Sequence, residues 1–115
     1  MIAGFSEVLE TLARHRGVKG SLVVSETDGL LVDANLRIGQ RGDRLAALAA
    51  SVYRKARRAA EAARLGSATF LQLDAEHGHI CAAGRGDLLI VVIAEPAANI
   101  GLLRVELLKA VDTLA

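Results

Sequence analysis

Apolar residues at Ile2, Phe5, Val8, Leu9 and Leu12 recur at three- and four-residue steps, the spacing that gathers one side of a helix into a buried stripe. Gly17 and Gly20 mark its exit. Two short apolar runs follow, Leu22 Val23 Val24 and Leu30 Leu31 Val32, separated by Glu26 Thr27 Asp28 Gly29. Asp-Gly favours the positive φ of a tight hairpin turn, so strands are predicted over 21–26 and 29–35. The stretch from Arg37 to Gly42 reads as a loop, and Asp43 as an N-cap whose carboxylate accepts from the first free amides of a long helix. That helix runs to about Leu65, with Gly66 as its stop.

At 100° per residue, Leu45, Leu48, Ala49, Val52, Ala56, Ala59 and Ala63 fall on one stripe of this helix, which predicts that the stripe faces the sheet of its own chain. Arg54, Arg57, Arg58 and Glu61 cluster on the other side with Ala47, Ala50 and Ser51. Small residues on that side would let a second helix approach closely, although alanine also simply favours helix. Beyond Gly66, the segments 68–73, 79–83 and 88–94 read as strands joined by turns at 74–78 and 84–87, an antiparallel meander. The last, Leu88 to Ala94, is apolar on both faces, as in a central strand covered from both sides. Asn99 is placed to cap a final helix striped by Ile100, Leu103, Leu107, Val111 and Leu114. The element order is αββαβββα, one α+β domain over residues 1–115.

Apolar residues make up 52% of 115, enough for a real core. Only 3% are aromatic, with no Trp, so platforms for stacking bases are scarce and nucleic acid is not expected as a partner. The net charge of +1 conceals an asymmetry. Between Arg41 and Arg64 stand seven basic residues and two acidic ones, against seven basic and eleven acidic elsewhere. Such a patch can steer association with an acidic partner surface, a membrane or nucleic acid; a solvated helix face is the bland alternative. No apolar run approaches the roughly 20 residues of a membrane span. The one cysteine, Cys81, and the lack of a secretory leader point to the cytoplasm.

Candidate chemistry is sparse. There is no GxxxxGK[ST] loop, and Gly84 Arg85 Gly86 lacks the third glycine and following helix of a dinucleotide site. His77 and His79 with Cys81 fall short of the four ligands of structural zinc. A Cys81–His79 nucleophilic pair lacks a group to orient the base. No catalytic residue, cofactor or metal is expected.

The segments Gly20 to Ala34 and Asn99 to Ala110 resemble the first hairpin and last helix of the roadblock (dynein light chain) family, and the likeness extends over nearly the whole chain. The resemblance implies a profilin-like sheet of order 2-1-5-4-3, with the first and last helices on one face and the middle helix on the other. It implies a homodimer in which the third strands pair and the middle helices lie side by side. That interface would use Ala50, Arg57, Ser67, Thr69, Phe70, Leu71 and Leu73. Ser67 to Leu73 contains no Pro, Lys or Arg, the residues that commonly block edge pairing. Bacterial and archaeal members are similar to MglB, which binds a small Ras-like GTPase and promotes its hydrolysis. The resemblance thus implies a non-catalytic GTPase co-regulator, with Arg44, Ala47, Ser51, Arg54, Lys55 and Arg58 meeting the GTPase. Other readings are a profilin-like or PAS-like small-molecule sensor and a general interaction scaffold.

Overall fold

The computed structural model describes residues 4–36 and 40–114. Helix α1 (Phe5–Ala13) is followed by β1 (Val18–Ser25), β2 (Leu31–Leu36), α2 (Gly42–Ala62), β3 (Leu71–Ala75), β4 (Gly78–Arg85), β5 (Leu88–Ala94) and α3 (Ile100–Asp112). The strands form one antiparallel sheet in the order β2-β1-β5-β4-β3, the order implied by the family resemblance. Ile2 and the loop positions Arg37 to Gly39 lie outside the described residues.

Period-two alternation divides the core. Ile90, Val92 and Ala94 of β5 pack with Cys81, Ala83 and the α1 and α3 stripes Val8, Leu12, Leu103, Leu107 and Val111. Leu89 and Val91 turn the other way and join Leu22, Val24, Ala82 and the α2 residues Ala46, Ala50 and Tyr53. Central β5 is therefore covered on both faces, as its apolar run predicts. Asn99 caps α3 as expected, its Oδ1 accepting from the Leu102 amide at 3.0 Å. Buried Ser21 donates its hydroxyl to the Leu9 carbonyl at 3.4 Å and so finds a partner inside the core.

Four sequence expectations need correction. β1 begins at Val18, because Val18 and Gly20 already pair with Ala94 and Ile93 of β5. Asp43 is not the N-cap: α2 starts at Gly42 after Arg41, and Asp43 stands in the first turn. There the Arg44 amide, and then the Arg41 charge, hold its carboxyl below the usual range. The end of α2 is set by Arg64 rather than Gly66. Arg64 adopts φ 60°, the Leu65 amide returns to the Ala60 carbonyl at 2.9 Å, and the Arg64 amide to Glu61 at 3.0 Å. This Schellman closure stops the helix at Ala62 with an L-residue in the conformation glycine usually takes.

The fourth correction concerns β3. The ladder with β4 runs from Leu71↔Ala82 to Ala75↔Gly78, so Ser67, Thr69 and Phe70 precede the strand and 76–77 alone make the turn. The Tyr53 hydroxyl donates to the Ala68 carbonyl at 3.1 Å, holding that approach against α2. Tyr53 also presses on β4, where a Cβ at Gly84 would meet its Oη at 3.2 Å and Cζ at 3.3 Å; only glycine leaves that room.

Candidate functional site

Helix α2 presents four sides, and each meets something different. Ala46 and Ala50 are fully buried against the sheet and Tyr53 nearly so, because side chains this small bring helix and strands close together. Ala50, expected on the outward side, is thus covered by its own sheet. The predicted stripe of Leu45, Leu48, Ala49 and Val52 is turned to the next sector instead. Leu45 and Ala49 are half-buried, while Leu48 is 56% exposed and Val52 40% exposed.

On one flank α2 is bonded to the β1–β2 turn. The Arg57 Nε donates to Glu26 Oε1 at 2.8 Å and its Nη1 to Glu61 at 3.2 Å. These bonds, Glu26 foremost, hold the guanidinium above its usual range. Glu26 is a buried carboxylate, and burial of a charge is tolerated because this partner meets it. The Arg54 guanidinium donates to the Glu26 carbonyl and, at 3.4 Å, to the Thr27 carbonyl. Asp87, in the β4–β5 turn, accepts from the Thr27 hydroxyl, from Ser25 Oγ at 3.0 Å and from the Thr27 amide at 2.9 Å. Those bonds, the Thr27 hydroxyl first, hold its carboxyl low. Gly29, at φ 70°, faces Ala47, whose Cα lies 3.3 Å from where a Cβ would stand. One corner of the domain is therefore locked; it engages Arg54 and Arg57 and backs onto Ala47, which stays exposed, three residues that the resemblance placed at the partner or dimer surface.

The opposite flank is open. Leu45, Leu48, Ala49 and Val52 border a groove of about 200 Å³ whose floor is Leu71 and Leu73 of β3, Ile80 and Ala82 of β4, and Val91 and Ile93 of β5. α2 thus lies over β1 and β2 and reaches β5 and part of β4 through Ala46, Ala50 and Tyr53, leaving β3 and the neighbouring part of β4 open on that face. The groove ends at β3, the outer strand. The two edges of the sheet differ in kind. On β2, the Asp33 carboxylate folds back on the strand and accepts from the Ala34 amide at 2.8 Å, so a charge stands at that edge as a guard. β3 has no Lys, Arg or Pro; its one charge, Asp74, is paired with His79 at 2.7 Å, and its Leu73 is 40% exposed.

The outer side of α2 carries Arg44, Leu48, Ser51, Lys55 and Arg58, which helical spacing brings into one line. Among the described residues Arg44, Lys55 and Arg58 form no ion pair, so their charge is directed to solvent.

The histidines lie elsewhere. His79 sits between Asp74 Oδ1, 2.7 Å from Nδ1, and the Pro96 carbonyl, 3.2 Å from Nε2. His77 is exposed beside Glu76 at 3.7 Å. Cys81 is fully buried, and burial, with the Asp74 charge second, pushes its thiol up, away from the reactive thiolate. Among the described residues no three acidic, histidine or cysteine groups converge as metal ligands, and no helix is long and apolar enough to cross a membrane.

Glu26 and Asp87 do not stand out in the amino-acid pattern as members of this surface, and each is recognisable only through partners far along the chain. Tyr53 alone carries a signal, as the single tyrosine in the sequence.

Known proteins resemble this chain in sequence or fold. The chain is 29% identical over 107 residues to the uncharacterized protein MJ0310 of Methanocaldococcus jannaschii, covering 93% of each. The Roadblock/LC7 domain from Streptomyces avermitilis superposes with a TM-score of 0.88 at 18% identity, over 97% of this chain and 95% of that one. Myxococcus xanthus MglB superposes with a TM-score of 0.85 at 20% identity, over 94% of this chain and 82% of that one. The Roadblock/LC7 domain pattern itself matches residues 4–94, and with the sheet order and three-helix arrangement described above the chain belongs to the Roadblock/LC7 domain family.

Proposed function

We propose that this protein is a homodimeric, non-catalytic adaptor for a small Ras-like GTPase. The observation that carries the reading is the continuity of three surfaces: the β3 edge, whose one charge is paired with His79, the open apolar groove beside it and the unpaired basic line on the outside of α2. Two β3 strands pair about a twofold axis, and the Leu45, Ala49 and Val52 flank of each α2 closes over the groove next to its mate. Burial of the exposed parts of Val52 and Leu73 then drives association. The basic line of each α2, Arg44, Lys55 and Arg58 around Leu48 and Ser51, remains outward on one side of the dimer, where it meets acidic partner surface. Charges of this kind at a rim act chiefly on encounter rate and on choice of partner.

Several of the residues that the resemblance placed at these surfaces also have a place within the chain itself. Ala50 supports α2 on its own sheet, Arg54 and Arg57 hold the β1–β2 turn, and Ser67, Thr69 and Phe70 lead into the edge rather than form it. Leu71 and Leu73 stay at the interface. A small-molecule sensor is less well supported, because the groove of about 200 Å³ and the hollow of about 330 Å³ beside His77 and His79 are both open to solvent rather than enclosed between helix and sheet. The test is GTP-dependent capture of a Ras-like protein by the wild-type chain and by Lys55→Glu/Arg58→Glu. Equal capture by the charge-reversed protein would contradict the assignment.

A further inference from the structure

Strand alternation puts His79, at the start of β4, on the same face as Cys81, and both of its ring nitrogens stand beside acceptors. Nδ1 is 2.7 Å from Asp74 Oδ1 on β3, and Nε2 is 3.2 Å from the Pro96 carbonyl in the β5–α3 connection. An ionised carboxylate and a backbone carbonyl have no proton to give, and neutral imidazole has a single N–H. In either neutral tautomer one ring nitrogen would therefore turn a lone pair toward oxygen. Only the imidazolium donates to both. Asp74 is further held by Gln72 Nε2 at 2.9 Å.

We propose that protonated His79 is a clamp tying edge strand β3 to the β5–α3 connection, and that its deprotonation weakens association of β3 with a second copy of this chain. The inference rests on the dimer reading above. Pairing two copies of a five-residue strand brings two Asp74 carboxylates onto one ladder, where like charges oppose association. With His79 charged, each Asp74 enters that ladder as half of an ion pair. With His79 neutral, the carboxylate stands alone and one anchor of the edge strand is lost.

Other charged or titratable groups surround this end of the sheet. Lys19 of β1 and Glu76 and His77 of the turn line the same hollow as His79, Glu95 precedes Pro96, and Cys81 is two residues along β4. On α3, Arg104 lies over the Phe70 ring, 4.8 Å from its centroid. Among the described residues Asp74 alone of these is in hydrogen-bond reach of the imidazole. The Asp74 bond, and then the Pro96 bond, hold His79 above its ordinary 6.5, and Gln72, then His79, hold Asp74 below its ordinary 3.8. A raised histidine gives stabilisation that is complete below 6.5 and lost as pH rises through the higher folded value. Asp74 withdraws its part only in strong acid. The clamp is closed below the ordinary histidine range and opens as pH rises through the raised folded value.

Sedimentation equilibrium between about pH 5.5 and pH 8.5, on wild type, His79→Gln and Asp74→Asn, tests this beside an NMR titration of the His79 ring. The wild-type dimer Kd should weaken about two- to fivefold across that range, the size an exposed ion pair carries. His79→Gln should lose most of the slope, and Asp74→Asn should lower the ring's titration toward the ordinary imidazole range, the Pro96 bond remaining. A dimer whose Kd ignores pH would overturn the clamp and leave the dimer standing. A monomer at every pH would overturn the dimer reading and, with it, the coupling proposed here. A wild-type ring that titrates ordinarily would refute the clamp in either case.

Discussion

Leu73→Ala asks whether a second copy covers the open half of the α2 face. Leu73 is 40% exposed in the isolated chain, and burying a leucine side chain completely is worth about 1.5–3 kcal/mol. The exposed part then corresponds to about 0.6–1.2 kcal/mol per copy, and a twofold interface counts it twice, about 1.2–2.4 kcal/mol. At 1.4 kcal/mol per factor of ten, the dimer Kd should weaken about 7- to 50-fold. Leu73 also packs within its own chain, opposite Ile80 in the ladder, so truncation lowers monomer stability as well. Denaturant melts of dilute protein, run beside sedimentation velocity, separate the two effects. Leu102→Ala is the matched control: Leu102 is 47% exposed, but on α3, behind the sheet, and its truncation should leave Kd unchanged. An unaltered Kd in Leu73→Ala, or an equal loss in Leu102→Ala, would refute the reasoning.

Ala50→Leu should destabilise the monomer by about 1–3 kcal/mol in urea melts, because Ala50 has no exposed surface and added methylenes must displace the sheet; a neutral result would restore Ala50 to the outer side of α2. Arg64→Gly should stabilise by about 0.5–1 kcal/mol, since a left-handed L-residue costs about 1–2 kcal/mol and glycine returns part of that as entropy. Thermal melting should show a gain of about 2–6 °C, and a loss would mean that the Arg64 side chain contributes more than its backbone strain costs. Asp87, held below its ordinary 3.8 by Thr27 and Ser25, gives stability that is present above that value and lost as pH falls through the folded one. Asp87→Asn should therefore melt lower than wild type near neutrality and converge with it in strong acid, and parallel curves would count against the turn lock.

Periodicity and turn chemistry were sufficient for the elements and their order, because β5 is apolar on both faces and Asn99 announces α3. They failed at the rotation of α2. Its most apolar sector, centred on Leu45, Ala49 and Val52, is adjacent to the sector that touches the sheet, where Ala46 and Ala50 allow close approach and Tyr53 reaches the Ala68 carbonyl. Hydropathy ranks the larger side chains first, so a helix with two apolar neighbours, its own sheet and an open groove, is read one sector out of phase. The basic run was legible as charge but not as two populations. Arg54 and Arg57 are bonded to the turn around Glu26, about thirty positions earlier, and nothing near them in sequence indicates that partner. The β3 boundary slipped for a similar reason: Ser67 to Phe70 have strand-like composition, yet Tyr53 and Arg104 draw them away from the ladder.

The most direct test of the adaptor reading is affinity capture from the native lysate with GDP and with a non-hydrolysable GTP analogue, comparing wild type with Lys55→Glu/Arg58→Glu after both are shown to share one oligomeric state. The account predicts that a Ras-like GTPase is enriched by the wild-type protein with the GTP analogue and lost on charge reversal. Capture of no GTPase in either nucleotide state, or undiminished capture by the charge-reversed protein, would contradict it.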